Sequence, residues 1–284
     1  MTATLMDGKT LAAKVREEVA ASVAGLGHVG IATVLVGDDP ASHVYISLKH
    51  KAAEAAGMEP RDHRLPEETS EAEVLALVAE LNADDGVDGI LVQLPLPGHI
   101  DEATVIEAID PAKDIDGIHP SNAGRLYLGR PTLIPGTPLG VMRLLEEYDI
   151  PLEGVNACVL GRSAIVGKPM SQLLLQANAT VTVCHSRTRG LDKHTRAADV
   201  LVAAIGKPHF VTEAMVKQGG TVIDVGLTRT GDGLHGDVHP DVARVASHLT
   251  PVPGGVGPMT IAMVLQNTVT AARARRAGLA NPAH

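Results

Sequence analysis

The stretch "ACVLGRSAIVGKPMSQLLL", Ala157 to Leu175, runs from an apolar strand through Gly161 and Gly167 into a helix carrying Leu173, Leu174 and Leu175. A Walker loop keeps four residues between its glycines and follows them with Lys-Ser/Thr. Here five residues separate Gly161 from Gly167, and Lys168 is followed by Pro169. The G-x-G-x-x-G pattern also fails, because Ser163 stands two after Gly161. The order strand, glycine turn, helix nevertheless remains, and Pro169 suits a first helical turn. Such a turn offers backbone N–H groups and the positive end of a helix dipole to an anion. A tight βα turn whose glycines serve sterics alone would read the same way.

The next strand, "TVTVCHS", narrows the choice. NAD-binding folds carry an Asp or Glu about 20 residues past the glycines, on the ribose 2′-OH. This strand ends instead in Cys184-His185-Ser186-Arg187, with no carboxylate. A hydroxyl and a guanidinium there, with Arg162 in the loop, suit a 2′-phosphate, so NADP is expected over NAD. Either arginine alone would also pass as an ordinary exposed side chain. The candidate cofactor set is Gly161, Arg162, Ser163, Ile165, Gly167, His185, Ser186 and Arg187.

Outward from this loop, βα units recur. "NACVLG", "TVTVCHS", "DVLVAAIG" and "GTVIDVG" read as strands of one set, which restarts near Gly140 after the helical "GVMRLLEEYDI". The first half has its own set. The strand "GIATVLVG" precedes the helix "ASHVYISLKHKAAEAAGM", with Gly57 as its stop. A second helix starts at the Ser70/Glu73 capping-box pair, and "VDGILVQLPLP" is a strand broken by prolines. Asp110 to Gly140 reads as loop-rich, and "GPMTIAMVLQNTVTAARARR" as a long closing helix. The fold class is α/β, with two domains built on parallel-rich sheets covered by helices.

Composition excludes other classes. The 284 residues suffice for two cores, and 45% hydrophobic with 20% charged residues is ordinary for a globular protein. No apolar run approaches the roughly 18 residues of a membrane span, and the N-terminus has no signal-peptide core. A net charge of −9 without basic–aromatic interleaving argues against nucleic acid. Cys158 and Cys184 sit in strand-like runs and are expected as buried reduced thiols in a reducing compartment.

Tyr45 and Lys49, four apart, share one helix face. The plain alternative is a surface lysine beside a packed tyrosine. Gln93 stands at the C-terminal end of an apolar strand, where open α/β sheets place ligand groups. Asp114 and Asp116 follow in a turn-prone loop without the full calcium-loop spacing. "HGDVHPDV", His235 to Val242, has two His and two Asp but reads as solvated loop, and no metal site is expected. "TPVPGGVGPMT" is a glycine/proline loop entering the last helix, open to close backbone approach or simply a rigid turn.

Six stretches in order carry a resemblance over nearly the whole chain: "VGDDPASHVYISLKHKAAEAAGM", "DGILVQLPLP", "PAKDIDGIHPSNAGRL", "GRSAIVGKPM", "CHSRT" and "TPVPGGVGPMT". Together they resemble the bifunctional methylenetetrahydrofolate dehydrogenase/methenyltetrahydrofolate cyclohydrolase family. The resemblance implies a folate domain over 1–139 completed by the helix 258–277, and an inserted Rossmann NADP domain over 140–257. It implies Lys49 as the catalytic lysine, with Tyr45, Gln93 and Asp116 as partners in the site. Tyr45 would pack on the folate ring system and Asp116 would bind the pterin edge. Pro253, Gly254 and Gly255 would border the substrate, and Arg162 and Ser186 would contact the 2′-phosphate. It further implies a cytoplasmic homodimer working on tetrahydrofolate derivatives in one-carbon metabolism, feeding purine biosynthesis. A monofunctional NAD(P) dehydrogenase is the alternative. Pro135-Gly136-Thr137-Pro138 stands where the family often has "PCTP", and "GDVHPDV" where "GDVDF" is usual.

Overall fold

The computed structural model describes residues 2–38 and 40–278, side chains at 40–45 excepted. In chain order the first half contains β1 (Thr4–Leu5), α1 (Gly8–Leu26), β2 (Gly30–Val36), α2 (Pro40–Ala55), β3 (Glu59–Leu65), α3 (Glu71–Ala83), β4 (Gly89–Val92), α4 (Glu102–Ala108) and α5 (Pro120–Tyr127). Then come α6 (Gly136–Glu147), β5 (Asn156–Leu160), α7 (Gly167–Gln176), β6 (Thr180–Cys184), α8 (Leu191–Ala197), β7 (Val200–Ala203), β8 (Thr221–Asp224), β9 (Thr228–Thr230), β10 (Gly233–His235), β11 (His248–Leu249) and α9 (Val256–Arg276). The chain separates into two compact units, one of residues up to 12 with 137–260, the other of 13–136 with the chain from 261 on.

The second of these units is built on a parallel sheet of order β3-β2-β4. Every residue of β2 is buried, as its run of β-branched and aliphatic side chains requires of a central strand. Helix α3 lays Val74, Val78 and Leu81 over the sheet residues Val34, Val36, Ile90 and Val92. Its start is fixed by the Ser70/Glu73 capping box: the Glu73 amide donates to Ser70 Oγ at 3.3 Å, and the Ser70 amide to Glu73 Oε2 at 2.9 Å. From α9, Asn267 donates to the carbonyls of Ile115 (2.8 Å) and Ile134 (2.7 Å).

The loop-rich reading of 110–140 needs correction. Helix α5 lies inside it, with Pro120 in its first turn and His119 Nδ1 accepting from the Ser121 amide at 3.0 Å. Its eight residues, "PSNAGRLY", are too short and too polar for a helical period to show.

Lys113 is the least expected core residue, 2% exposed. Its ammonium donates to the carbonyls of Leu81 (3.0 Å), Asn82 (2.8 Å) and Asp84 (2.8 Å), the orphan acceptors where α3 ends. Burial lowers its pKa, and the nearby Arg275 charge lowers it further. Lys113→Met would leave those carbonyls without their shared donor. We expect a loss on the order of 3 kcal/mol, read as a thermal midpoint roughly 5–10 °C lower.

The first unit carries a six-stranded parallel sheet, β1-β11-β8-β7-β5-β6, and a β9–β10 hairpin. Residues 2–12, expected with the N-terminal domain, pack here instead. The reason is backbone pairing: Thr4 and Leu5 stand opposite His248 and Leu249, and the Met6 amide donates to the Leu249 carbonyl at 2.9 Å. Leu160, Leu201, Val222 and Leu249 belong to its core. In this strand order the sequence reverses direction at β5, between β6 and β7. Open α/β sheets bind ligands at the carboxyl ends of strands at such a point.

Candidate active site

In the sheet of three strands, Lys49 comes from α2 and Gln93 from the residue after β4. Lys49 Nζ donates to Gln93 Oε1 at 3.2 Å. The Gln93 amide nitrogen is engaged by the Leu94 carbonyl at 2.8 Å, which turns the oxygen toward the lysine. Asp116 reaches the same place by strand-like pairing. The Ile90 amide donates to the Lys113 carbonyl at 2.7 Å, and Asp114 bridges Ile90 in parallel, so Asp116 emerges level with the end of β4. Asp114 itself is tied down, accepting from the His119 amide (2.8 Å) and the Asn122 side chain (2.9 Å).

Burial lowers the pKa of Lys49 below its usual 10.5, and the Asp116 charge partly restores it. Burial raises the Asp116 carboxyl, and the Lys49 charge pulls it back. A lysine held by a neutral amide and desolvated in this way gives up its proton more readily than an exposed one. The Tyr45 side chain, the fourth member of the expected set, lies outside the described residues.

The cofactor candidates collect in the other unit. A cleft of about 300 Å³ is lined by Gly161 and Arg162 after β5, His185 and Ser186 after β6, and Ala204, Ile205, Lys207 and Phe210 after β7. These are the strand ends at the topological reversal. Gly161 has φ +128°, and a Cβ there would meet the Ala204 carbonyl oxygen at 2.2 Å. A Cβ on Gly167 would meet the Gly161 carbonyl oxygen at 2.4 Å. Both glycines are therefore required by close backbone approach. Ile165 is exposed, and Arg187 is exposed beside Ser186, its amide donating to His185 Nδ1 at 3.1 Å.

The start of α7 differs from the simple anion-site reading. Ser163 Oγ accepts from the Val166 (3.2 Å) and Gly167 (3.3 Å) amides, and its carbonyl from Lys168 (3.0 Å). Pro169 has no N–H to offer. The first-turn donors are thus spent within the loop, leaving the earlier loop residues and the helix dipole to face a ligand.

Pro253, Gly254 and Gly255 form a tight turn into α9, closed by the Gly255 amide on the Pro251 carbonyl at 2.8 Å. Cys158 and Cys184 are free and buried, their sulfurs 3.8 Å apart across β5 and β6. Burial, with Cys184 beside it, pushes the Cys158 thiol well above the usual range. The reading of "HGDVHPDV" as solvated fails at Asp237, which is fully buried. Its Gly-Asp-Val context was marked only by the family resemblance, with no periodic pattern to show burial. Among the described residues, no helix is long and apolar enough to cross a membrane.

A family model described as tetrahydrofolate dehydrogenase/cyclohydrolase, catalytic domain, matches residues 6–116. A second, described as tetrahydrofolate dehydrogenase/cyclohydrolase, NAD(P)-binding domain, matches residues 135–276. The chain belongs to the tetrahydrofolate dehydrogenase/cyclohydrolase family. Within that family, the bifunctional protein FolD of Burkholderia pseudomallei (strain 668) is 57% identical over 278 residues, spanning 96% of this chain and 98% of its own. A crystal structure of the bifunctional enzyme FolD from Campylobacter jejuni matches with TM-score 0.94 at 48% identity, over 96% of this chain and 99% of that one. The Trypanosoma brucei methylenetetrahydrofolate dehydrogenase-cyclohydrolase, complexed with NADP cofactor and inhibitor, matches with TM-score 0.93 at 38% identity, over 97% and 99%.

Proposed function

We infer that the protein is a bifunctional one-carbon folate enzyme. It oxidises 5,10-methylenetetrahydrofolate to the methenyl form with NADP, then hydrolyses that product to 10-formyltetrahydrofolate. The observation that carries this is the coverage of one chain by both family domains, with 57% identity to a relative named bifunctional. The Lys49–Gln93 contact favours it over a dehydrogenase alone, since oxidation by itself has no use for a proton-carrying lysine.

The cleft residues fit NADP. Gly161 and Gly167 leave room that a side chain would fill, and Arg162 and Ser186 offer a guanidinium and a hydroxyl for the 2′-phosphate. Bound NADP supplies the two-electron acceptor for the methylene bridge. The protein's part in that step is positioning. In the second step water adds to the cationic methenyl carbon, and a C–N bond of the bridge opens as its nitrogen takes up one of the water's protons and the other leaves to solvent with formation of the formyl C=O. Lys49, as the neutral amine, takes the proton from the attacking water, and Gln93 Oε1 aims it. Asp116 binds the pterin's amino-pyrimidine edge and Tyr45 packs on the ring system.

We assign the folate role to the unit of 13–136 and 261 onward, and the NADP role to the unit around 137–260. We also propose a cytoplasmic homodimer paired through its nucleotide-binding units, whose product donates formyl groups to purine biosynthesis. The two buried, reduced thiols support the compartment.

Purified protein given 5,10-methylenetetrahydrofolate should reduce NADP far better than NAD, with no lasting methenyl absorbance. Accumulated methenyl product would remove the hydrolase half. No reduction with either cofactor would remove the dehydrogenase half.

A further inference from the structure

We propose that Asp237 is a positioning residue for the cofactor, holding one wall of the cleft in shape from behind it. This rests on the NADP reading of that cleft.

The wall after β7 carries Ala204, Ile205, Lys207 and Phe210. Three consecutive amides at its start turn away from the sheet ladder and need acceptors. The Asp237 carboxylate supplies them all: Oδ2 accepts from Ile205 at 2.6 Å and Gly206 at 3.1 Å, and Oδ1 from Lys207 at 2.6 Å. Hydrogen bonds to an ionised acceptor are about twice as strong as neutral ones. The rest of the wall hangs on the same segment through backbone. His209 donates to the Gly236 carbonyl (3.0 Å), Val211 to the Asp237 carbonyl (2.9 Å), and His239 to the Val211 carbonyl (2.8 Å). Phe210 is thereby fixed between two anchored neighbours, with Lys207 Nζ 5.8 Å from its ring centre.

Asp237 has no freedom of its own. Its amide donates to Asp224 Oδ1 at 2.9 Å, and the Val238 amide to Asp224 Oδ2 at 2.9 Å. Asp224 in turn donates through its amide to Thr250 Oγ1 at 2.7 Å. Packing locks both carboxylates: a Cβ on Gly226 would meet Asp237 Cγ at 2.4 Å, and one on Gly236 would meet Asp224 Oδ2 at 1.9 Å. Asp237 is 0% exposed and is not among the residues lining the cleft. It acts on the cofactor through Ile205, Lys207 and Phe210 alone.

The test is Asp237→Asn, which keeps the shape but sets an NH₂ against amides that need an acceptor. NADP dissociation constants are measured by calorimetry on wild type and variant. The KM for NADP, kcat and cofactor-free ring opening of methenyltetrahydrofolate are measured alongside. The expected result is a rise in Kd and KM for NADP of about tenfold or more, the scale of one lost charge-assisted hydrogen bond, with kcat and ring opening retained. An unchanged Kd, or equal losses in both activities, would overturn the role. Failure of the wild type to bind NADP would instead refute the cofactor reading itself. Hydrogen exchange on the wild type covers the case of a variant that does not fold. The amides of Ile205, Gly206 and Lys207 should be protected before NADP is added; protection appearing only with NADP would show a wall shaped by the cofactor and not by Asp237.

Discussion

Lys49→Met is expected to abolish ring opening of 5,10-methenyltetrahydrofolate, a loss of about 10²–10⁴-fold in kcat, the usual worth of general acid–base catalysis. NADP binding should be untouched. Lys49→Arg is the informative control, because a guanidinium keeps the charge but cannot give up its proton. Ring opening absent in both variants identifies a base. Ring opening retained in the arginine variant would mean that charge alone suffices, and normal ring opening in the methionine variant would refute the assignment. The pH profile carries a second signature. The neutral amine is the competent form, so the rate falls as pH drops through the lysine's pKa. Burial has moved that pKa down from 10.5, which carries the acid limb to lower pH than an exposed lysine would give. Asp116 raises the Lys49 pKa, so Asp116→Asn should shift the acid limb lower still. A shift upward would contradict the arrangement.

The second large effect is expected from Gly161→Ala. The added methyl would fall 2.2 Å from the Ala204 carbonyl oxygen, at a backbone φ of +128° that side chains rarely adopt. Either β7 retreats or the loop lifts, at about 1–3 kcal/mol of strain. Both movements deform the cleft between the ends of β5 and β7. NADP affinity, followed by NADPH fluorescence, should fall by at least about tenfold, while ring opening without cofactor persists. Unchanged affinity would show that the cofactor does not use this loop.

The strands that were legible in the sequence are those buried on both faces. Strands β2, β5, β7 and β8 announce themselves as apolar β-branched runs between turn residues. Helix α3 was legible from its cap. Besides α5, strands β3 and β1 were not. Strand β3, "EPRDHRL", has no alternation and almost no apolar residue, and it exists because β2 pairs with it over seven positions. Strand β1 is two residues long and is defined only by its distant partner. The same division holds for the sites. Gly161 and Ser186 follow strands and show up by context. The meeting of Lys49 with Gln93 joins residues 44 apart in sequence, which no local pattern encodes. Asp237 escaped because a buried acceptor for loop amides has no spacing rule; only the fold brings residues 205–207 to it.

The polarity that concealed β3 has its own use. A three-stranded sheet has two open edges, each a row of amides and carbonyls able to recruit a strand from another molecule. The edge beyond β4 is partly occupied by the chain's own Asp114 bridge. At the other, β3 presents Arg61, Asp62, His63 and Arg64 in succession. Adding a foreign strand there would force those charges against it, so the sheet is guarded against edge-to-edge aggregation by the very residues that weaken it as a pattern.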